Sequence, residues 1–233
     1  MNKLFCSKKI AVISLLLSVL ILIQCIPIVL SFDNYDVGLI AHWGLDEDYW
    51  NGTPYEVIDS SGNANHGTAQ NGVTTVDGLV GKCGDFDGND DRIVFSNDLN
   101  IRPTRQITLM AWIKPENVGA ATSWYYDDPI IGKRWAYYLY IDYNGYINFG
   151  FYNDRQHGTP AVVGPYLKPY EGKWIHVAAT YDGSYSRIYL NGELVKQEAR
   201  SGPINDDTTL PYISYIDYTR YFDGFIEIYD KLI

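Results

Sequence analysis

Aromatic rings set beside acids are the first chemistry this chain offers. Trp124, Tyr125 and Tyr126 run into Asp127 and Asp128, and Trp135 follows seven residues after the last. A ring can stack on the apolar C–H face of a sugar while a neighbouring carboxylate accepts from its hydroxyls, and Tyr and Trp also dominate the energetics of protein interfaces. Trp124, Tyr125, Tyr126, Asp128 and Trp135 are therefore the candidate ligand contacts. The competing role for such rings is to pack beneath long loops. Asp85, Asp87, Asp90 and Asp91 form an acidic group that suits either a hard cation or the capping of turns on a solvated edge.

Hydrolytic chemistry finds no counterpart. Retaining glycosidases need two carboxylates on one face about 5–5.5 Å apart, and no Glu-x-Asp-x-Glu run supplies them. His42, His66, His157 and His176 show no metal-ligand spacing, and there is no nucleophile elbow or phosphate loop. The expectation is a domain that binds and does not catalyse.

These residues must be held by strands. Short alternating runs recur at Gly38–Trp43, Arg92–Phe95, Ile107–Ile113, Tyr137–Asp142, Tyr146–Phe151, Trp174–Tyr181, Ser186–Leu190 and Phe222–Tyr229. Asn-Gly and Asp-Gly pairs separate them at Asn71, Asp87, Asn144, Asp182, Asn191 and Asp223, supplying the positive φ of tight hairpins. Trp174 to Val195 reads as a three-stranded meander. Trp112 and Trp174 are expected in the core. No helical period is sustained after residue 31, so the expected class is an all-β, two-sheet antiparallel sandwich.

The first 31 residues are a separate block. Lys3, Lys8 and Lys9 precede an uncharged stretch from Ile10 to Leu30, and acids begin only at Asp33. This is the pattern of a signal peptide or, uncleaved, of an N-terminal hydrophobic helix anchoring the domain outside the membrane. Residues 32–233 form the exported domain, with its core from about 38 to 230. They carry 15 basic residues against 28 acidic ones, a balance that repels phosphate backbones and excludes nucleic acid as a partner. Cys83 is the lone cysteine of this part, so no disulfide can form within it.

GLIAHWGLDE, VIDSSGNANHGT, DFDGNDDRIVF, ITLMAWIKP, GKWIHVAATYDGSYSRIYLNGELV and FDGFI occur in this order. Together they resemble the laminin-G-like jelly-roll family, a concanavalin A-like fold. The resemblance implies an extracellular binding or adhesion domain whose partner is a glycan or a surface protein, or an accessory domain of a carbohydrate-active enzyme. It also implies a structural calcium ion (Ca2+) held among Asp46, Glu47, Asp59, Asn63 and Glu227. One departure stands out. Relatives read F-x-G-x-I-D-E-x-R-I-Y near the C-terminus, whereas this chain reads Phe222-Asp223-Gly224-Phe225-Ile226-Glu227-Ile228-Tyr229. The last strand is therefore expected to be bulged, slipped in register or damaged.

Overall fold

The computed structural model describes residues 38–96, 101–119, 127–153, 161–215 and 221–228. The expected N-terminal helix, Trp124, Tyr125 and Tyr126 lie outside the described residues. Among the described residues no helix is long and apolar enough to cross a membrane.

The strands are β1 (Gly67–Gln70), β2 (Thr74–Asp77), β3 (Lys82–Asp87), β4 (Arg92–Phe95), β5 (Ile107–Pro115), β6 (Asp128–Lys133) and β7 (Tyr137–Ile141). They continue with β8 (Tyr146–Phe151), β9 (Val162–Tyr166), β10 (Ile175–Tyr181), β11 (Tyr185–Leu190), β12 (Glu193–Ala199), β13 (Pro211–Ile213) and β14 (Asp223–Glu227). They form two seven-stranded antiparallel sheets. The first runs β1-β4-β13-β6-β7-β8-β9 and the second β12-β11-β10-β5-β14-β3-β2. The jelly-roll sandwich expected from the sequence is present.

Local chemistry explains the hairpins. Asn191 (φ 50°) and Gly192 (φ 83°) are both left-handed, the two-residue turn that matches strand twist. They join β11 to β12 and complete the expected meander. Alternation then sorts the side chains, because successive residues of a strand face opposite ways. Leu139, Ile141, Ile147, Phe149 and Phe151 of the first sheet enter the core, as do Ile113, Val177, Ala179, Tyr181 and Ile188 of the second. Phe151 meets Tyr181 across the layers with ring centroids 4.3 Å apart. Each such side chain contributes about 1.5–3 kcal/mol by leaving water.

The core tryptophan is a different residue from those expected. Trp43 stacks on Phe95 at 3.8 Å and donates its Nε1–H to the carbonyl of Asn65. Trp112 and Trp174 are only half-buried. Trp112 pairs with His176 on β10, and their rings meet edge-on at 5.4 Å. It alternates with Ala111 and Ile113, both core residues, so its ring belongs to the outward face. The run Gly38–Trp43 is not a strand; only Trp43 makes a bridge, to Asp59.

The departure at the last strand leaves the sheet intact. β14 pairs in continuous register with β3 and with β5, and Ile226 lies wholly inside. Gly224 (φ 131°) takes a backbone shape open to glycine where the strand begins. The core face therefore stays inward.

Candidate functional site

The four carboxylates of the calcium set accept hydrogen bonds from the protein. Asp59 is buried, and its carboxylate accepts from the amides of His42, Ser61 and Asn65 and from the Ser61 hydroxyl, at 2.8–2.9 Å. Burial alone would raise its pKa; the donors overcome this and hold it below the usual value. The Nδ2 of Asn63 donates to the carbonyls of Leu39 and Ile40, tying the same loop to the first segment of the domain. Glu47 accepts from the amide of Ile58 and from Trp50 Nε1–H. Asp46 and Glu227 meet at the β2–β3 turn. Asp46 accepts from the amide of Lys82, and Glu227 from the amides of Leu79 and Val80 at 2.6 and 3.0 Å. Glu227 is buried, and burial raises its pKa despite these bonds, with Asp46 adding to the rise. A calcium ion takes about six to eight oxygens. The carboxylates are split between a loop and a turn, and among the described residues no three of them bring ligand oxygens within 4.8 Å of one another, so the set does not fit the ion.

A second acidic group stands at one end of the sandwich. Asp87, Asp90 and Asp91 have ligand oxygens within 4.8 Å of one another. Their bonds are those of a turn: Asp87 accepts from the amide and side chain of Asn89, and Asp91 accepts from the amide of Asp87. Burial and then Asp87 raise Asp91 to about 6. Asp223 faces Asp87 across the β14–β3 pair. At the start of β6, Asp128 is raised to about 8 by burial and then by Asp223 and Asp127. Asp128 pairs with core-facing Ile141, so its carboxyl points between the layers.

Trp135 lies at the opposite end of the β6–β7 hairpin from Asp128, so these two candidate contacts do not meet. Trp135 sits in the turn with φ 62°, a left-handed shape that costs a residue other than glycine about 1–2 kcal/mol. The residue is 40% exposed. Arg134 lies over it at 4.8 Å, and Tyr152 meets it edge-on at 5.4 Å.

From Tyr152 a row of rings crosses the outward face of the first sheet. Tyr152 contacts Tyr138 at 5.7 Å, and Tyr138 contacts Tyr140 at 5.2 Å. The register Tyr212–Gly132–Tyr138–Gly150 sets two tyrosines two strands apart, with a glycine between them. Tyr212 then meets Tyr215 at 4.8 Å, and Tyr215 meets Tyr221 at 5.3 Å. Arg92 lies over Tyr215 and donates to the Tyr221 hydroxyl and to Gln70. On the same face Asn148 is fully buried. Its Nδ2 donates to Asp142 and to the Tyr146 carbonyl, while its Oδ1 meets no protein donor.

Of this row the sequence pointed only to Trp135. Tyr138 and Tyr140 read as ordinary residues of the run Tyr137–Asp142, and Tyr212, Tyr215 and Tyr221 fell in no expected strand. The available signal was Tyr137–Ile141, a five-residue strand apolar on both faces. A half-solvated antiparallel strand alternates instead.

Three solved structures share the architecture. Domain 4 of AbnA, a GH43 extracellular arabinanase from Geobacillus stearothermophilus in complex with arabinotriose, is 18% identical; the match covers 81% of this chain and 88% of that one, with a TM-score of 0.58. The binding domain of Paraclostridial Mosquitocidal Protein 1 is 16% identical over 80% of this chain and 46% of that one, at a TM-score of 0.59. The receptor binding domain of a botulinum neurotoxin C/D mosaic serotype is 17% identical over 82% and 48%, at 0.55. The chain thus spans most of the arabinanase domain and about half of each toxin chain. At these identities the likeness is one of fold. No curated protein sequence matches the chain. A family profile matches residues 87–230, more than half of the chain, and by that match the protein belongs to the concanavalin A-like lectin/glucanases superfamily.

Proposed function

We propose that this protein is an exported, non-catalytic binding domain that recognises glycans at the cell surface through the aromatic outward face of its first sheet. The observation that carries this reading is the row from Trp135 through Tyr152 and Tyr138 to Tyr140. Its exposed end is a tryptophan held in a strained turn. Strain of this kind persists where surrounding contacts over-determine it and clusters at ligand-binding sites. A sugar needs an apolar surface for its C–H face and polar groups for its hydroxyls. Trp135 and half-buried Tyr152 supply the first, while Tyr138, Tyr140 and Asn148 are buried and back that surface.

The arabinanase domain of like fold, solved with arabinotriose, supports an oligosaccharide as the ligand class. The basic flank and uncharged stretch of residues 1–31 support export, with that segment as leader or anchor. A glycan array probed with the full chain and with Trp135→Ala tests the proposal. Binding to a defined set of oligosaccharides, lost with Trp135→Ala, is the expected result. Silence across the array would sink it and would turn the aromatic row into a surface for a protein partner.

A further inference from the structure

The end of the sandwich that carries Trp135 also holds an arginine with an unused edge. Arg200 follows β12, and its amide donates to the Ser184 carbonyl. Its guanidinium lies over the Phe151 ring at 5.5 Å. Nε and Nη2, the two nitrogens of its side-on edge, are shielded from solvent and meet no acceptor among the described residues. Buried polar groups without partners are rare in folded proteins, and leaving donors of a cation unsatisfied is costlier than leaving neutral ones.

Among the described residues, the carboxylates at this end are engaged elsewhere. Asp182 binds Arg187 at 2.6 Å and accepts from the amides of Ser184 and Tyr185. Asp206 pairs with Arg102 at 2.5 Å, and Asp207 accepts from the amide of Thr209. Arg200 and the ring row share one rim of the sandwich but stand on opposite sides of the β8 backbone, Arg200 over inward-facing Phe151 and Trp135 against outward-facing Tyr152. Phe151 immediately precedes Tyr152, whose ring meets Trp135. Gly202, two residues beyond Arg200, packs against Asn153, whose buried Oδ1 also lacks a partner.

We propose that Arg200 is the acid-recognising residue of the site, and that the ligand carries a carboxylate on a sugar, as sialates and uronates do. The side-on edge of a guanidinium presents two parallel N–H donors, and a carboxylate presents two oxygens at the matching separation. Arg200 is half-buried, so a turn about its flexible stem brings the edge to solvent. The chain carries a formal net charge of −10. That field opposes highly anionic ligands and leaves a singly charged sugar acid the least disfavoured of the acidic ones. This inference rests on the glycan reading above.

The test is a calorimetric titration of the full chain with matched pairs: a sialylated oligosaccharide and its asialo form, and a glucuronate-ended oligosaccharide and its glucose-ended form. The acidic member of at least one pair should bind about tenfold tighter, the scale of a charge-assisted hydrogen bond. Arg200→Gln and Arg200→Lys should each bring that ratio close to one, since lysine keeps the charge and lacks the two-pronged edge. Lys173→Gln, at the other end of the sandwich, should leave it unchanged. Equal binding of acidic and neutral members by the wild type would overturn the role of Arg200 and leave the glycan reading standing. A ratio preserved in Arg200→Lys would do the same, and it holds as a test even if Arg200→Gln fails to fold. No sugar binding at all would remove both.

Discussion

Trp135 meets Tyr152 edge-on, with ring centroids 5.4 Å apart and planes inclined by 70°. The contact joins a turn of the first sheet to the residue that follows β8, and it holds a large side chain in a left-handed backbone shape. Part of the site's cost is therefore stored in one residue. Trp135→Gly should be more stable than Trp135→Ala by about 1 kcal/mol, because glycine adopts this φ without strain. Urea denaturation of the two variants side by side measures the difference. An alanine variant as stable as the glycine one would mean that the turn relaxes once the ring is gone.

Glu227 makes a second prediction. Its two carboxylate oxygens hold the amides of Leu79 and Val80 and so pin the β2–β3 turn to the last strand. Glu227→Ala leaves both amides without their acceptor and should cost about 2–3 kcal/mol. Because the carboxylate serves the turn, the loss should be the same in calcium and in chelator. A loss seen only with calcium present would restore the ion to this site, since a bound ion stabilises the fold by mass action.

Asp128 should make stability depend on pH. Burial, then Asp223 and Asp127, raise it to about 8, far above an ordinary aspartate. The folded state therefore holds the proton that the unfolded chain releases. Its contribution is fully present below the unfolded pKa and is lost as pH rises through about 8. Asp91, raised to about 6, acts in the same direction. Asp59, held low, acts in the opposite one, and its contribution is lost as pH falls. Asp128→Asn should flatten the decline in stability between about pH 5 and pH 8, and at the upper limit it should be the more stable protein. Parallel denaturation curves at the two pH values decide this, and an unchanged slope would show that Asp128 ionises normally.

Gly150 keeps the ring row in place. A Cβ there would stand 2.7 Å from Cζ of Tyr138, closer than carbon atoms approach. Gly150→Ala must push the Tyr138 ring aside and should cost about 1–3 kcal/mol, the usual price of overpacking. Near-ultraviolet circular dichroism would report the displaced tyrosine. A variant with wild-type spectrum and stability would show that the row tolerates rearrangement.

The fold was legible in the sequence where turn chemistry and alternation agree. Arg92–Phe95 and Tyr146–Phe151 are strands with the expected limits. Asn191-Gly192 and the meander it closes read the same in sequence and structure. Less legible were β1, β2, β9 and β13, three to five residues each, of which β1 and β13 pair with strands that are not their neighbours in the chain. The site was harder to read for a related reason. Trp135 stood out because a tryptophan beside a turn is conspicuous. Tyr138, Tyr212 and Tyr215 share a face only through register across β7, β6 and β13, and no local pattern records that. The calcium set does not gather because Asp59 and Glu47 serve the backbone of one loop while Asp46 and Glu227 serve the β2–β3 turn. At the last strand, the missing residues suggested damage, but pairing with both neighbours holds Ile226 in the core.

The most direct test of the account separates binding from folding at one residue. Trp135→Gly removes the exposed ring while leaving a backbone that suits the turn. Tested against the best oligosaccharide from the array, the full-length variant should melt at or above the wild-type temperature and bind at least about tenfold more weakly. Undiminished affinity in a folded Trp135→Gly protein would contradict the aromatic face as the place where this domain meets its ligand.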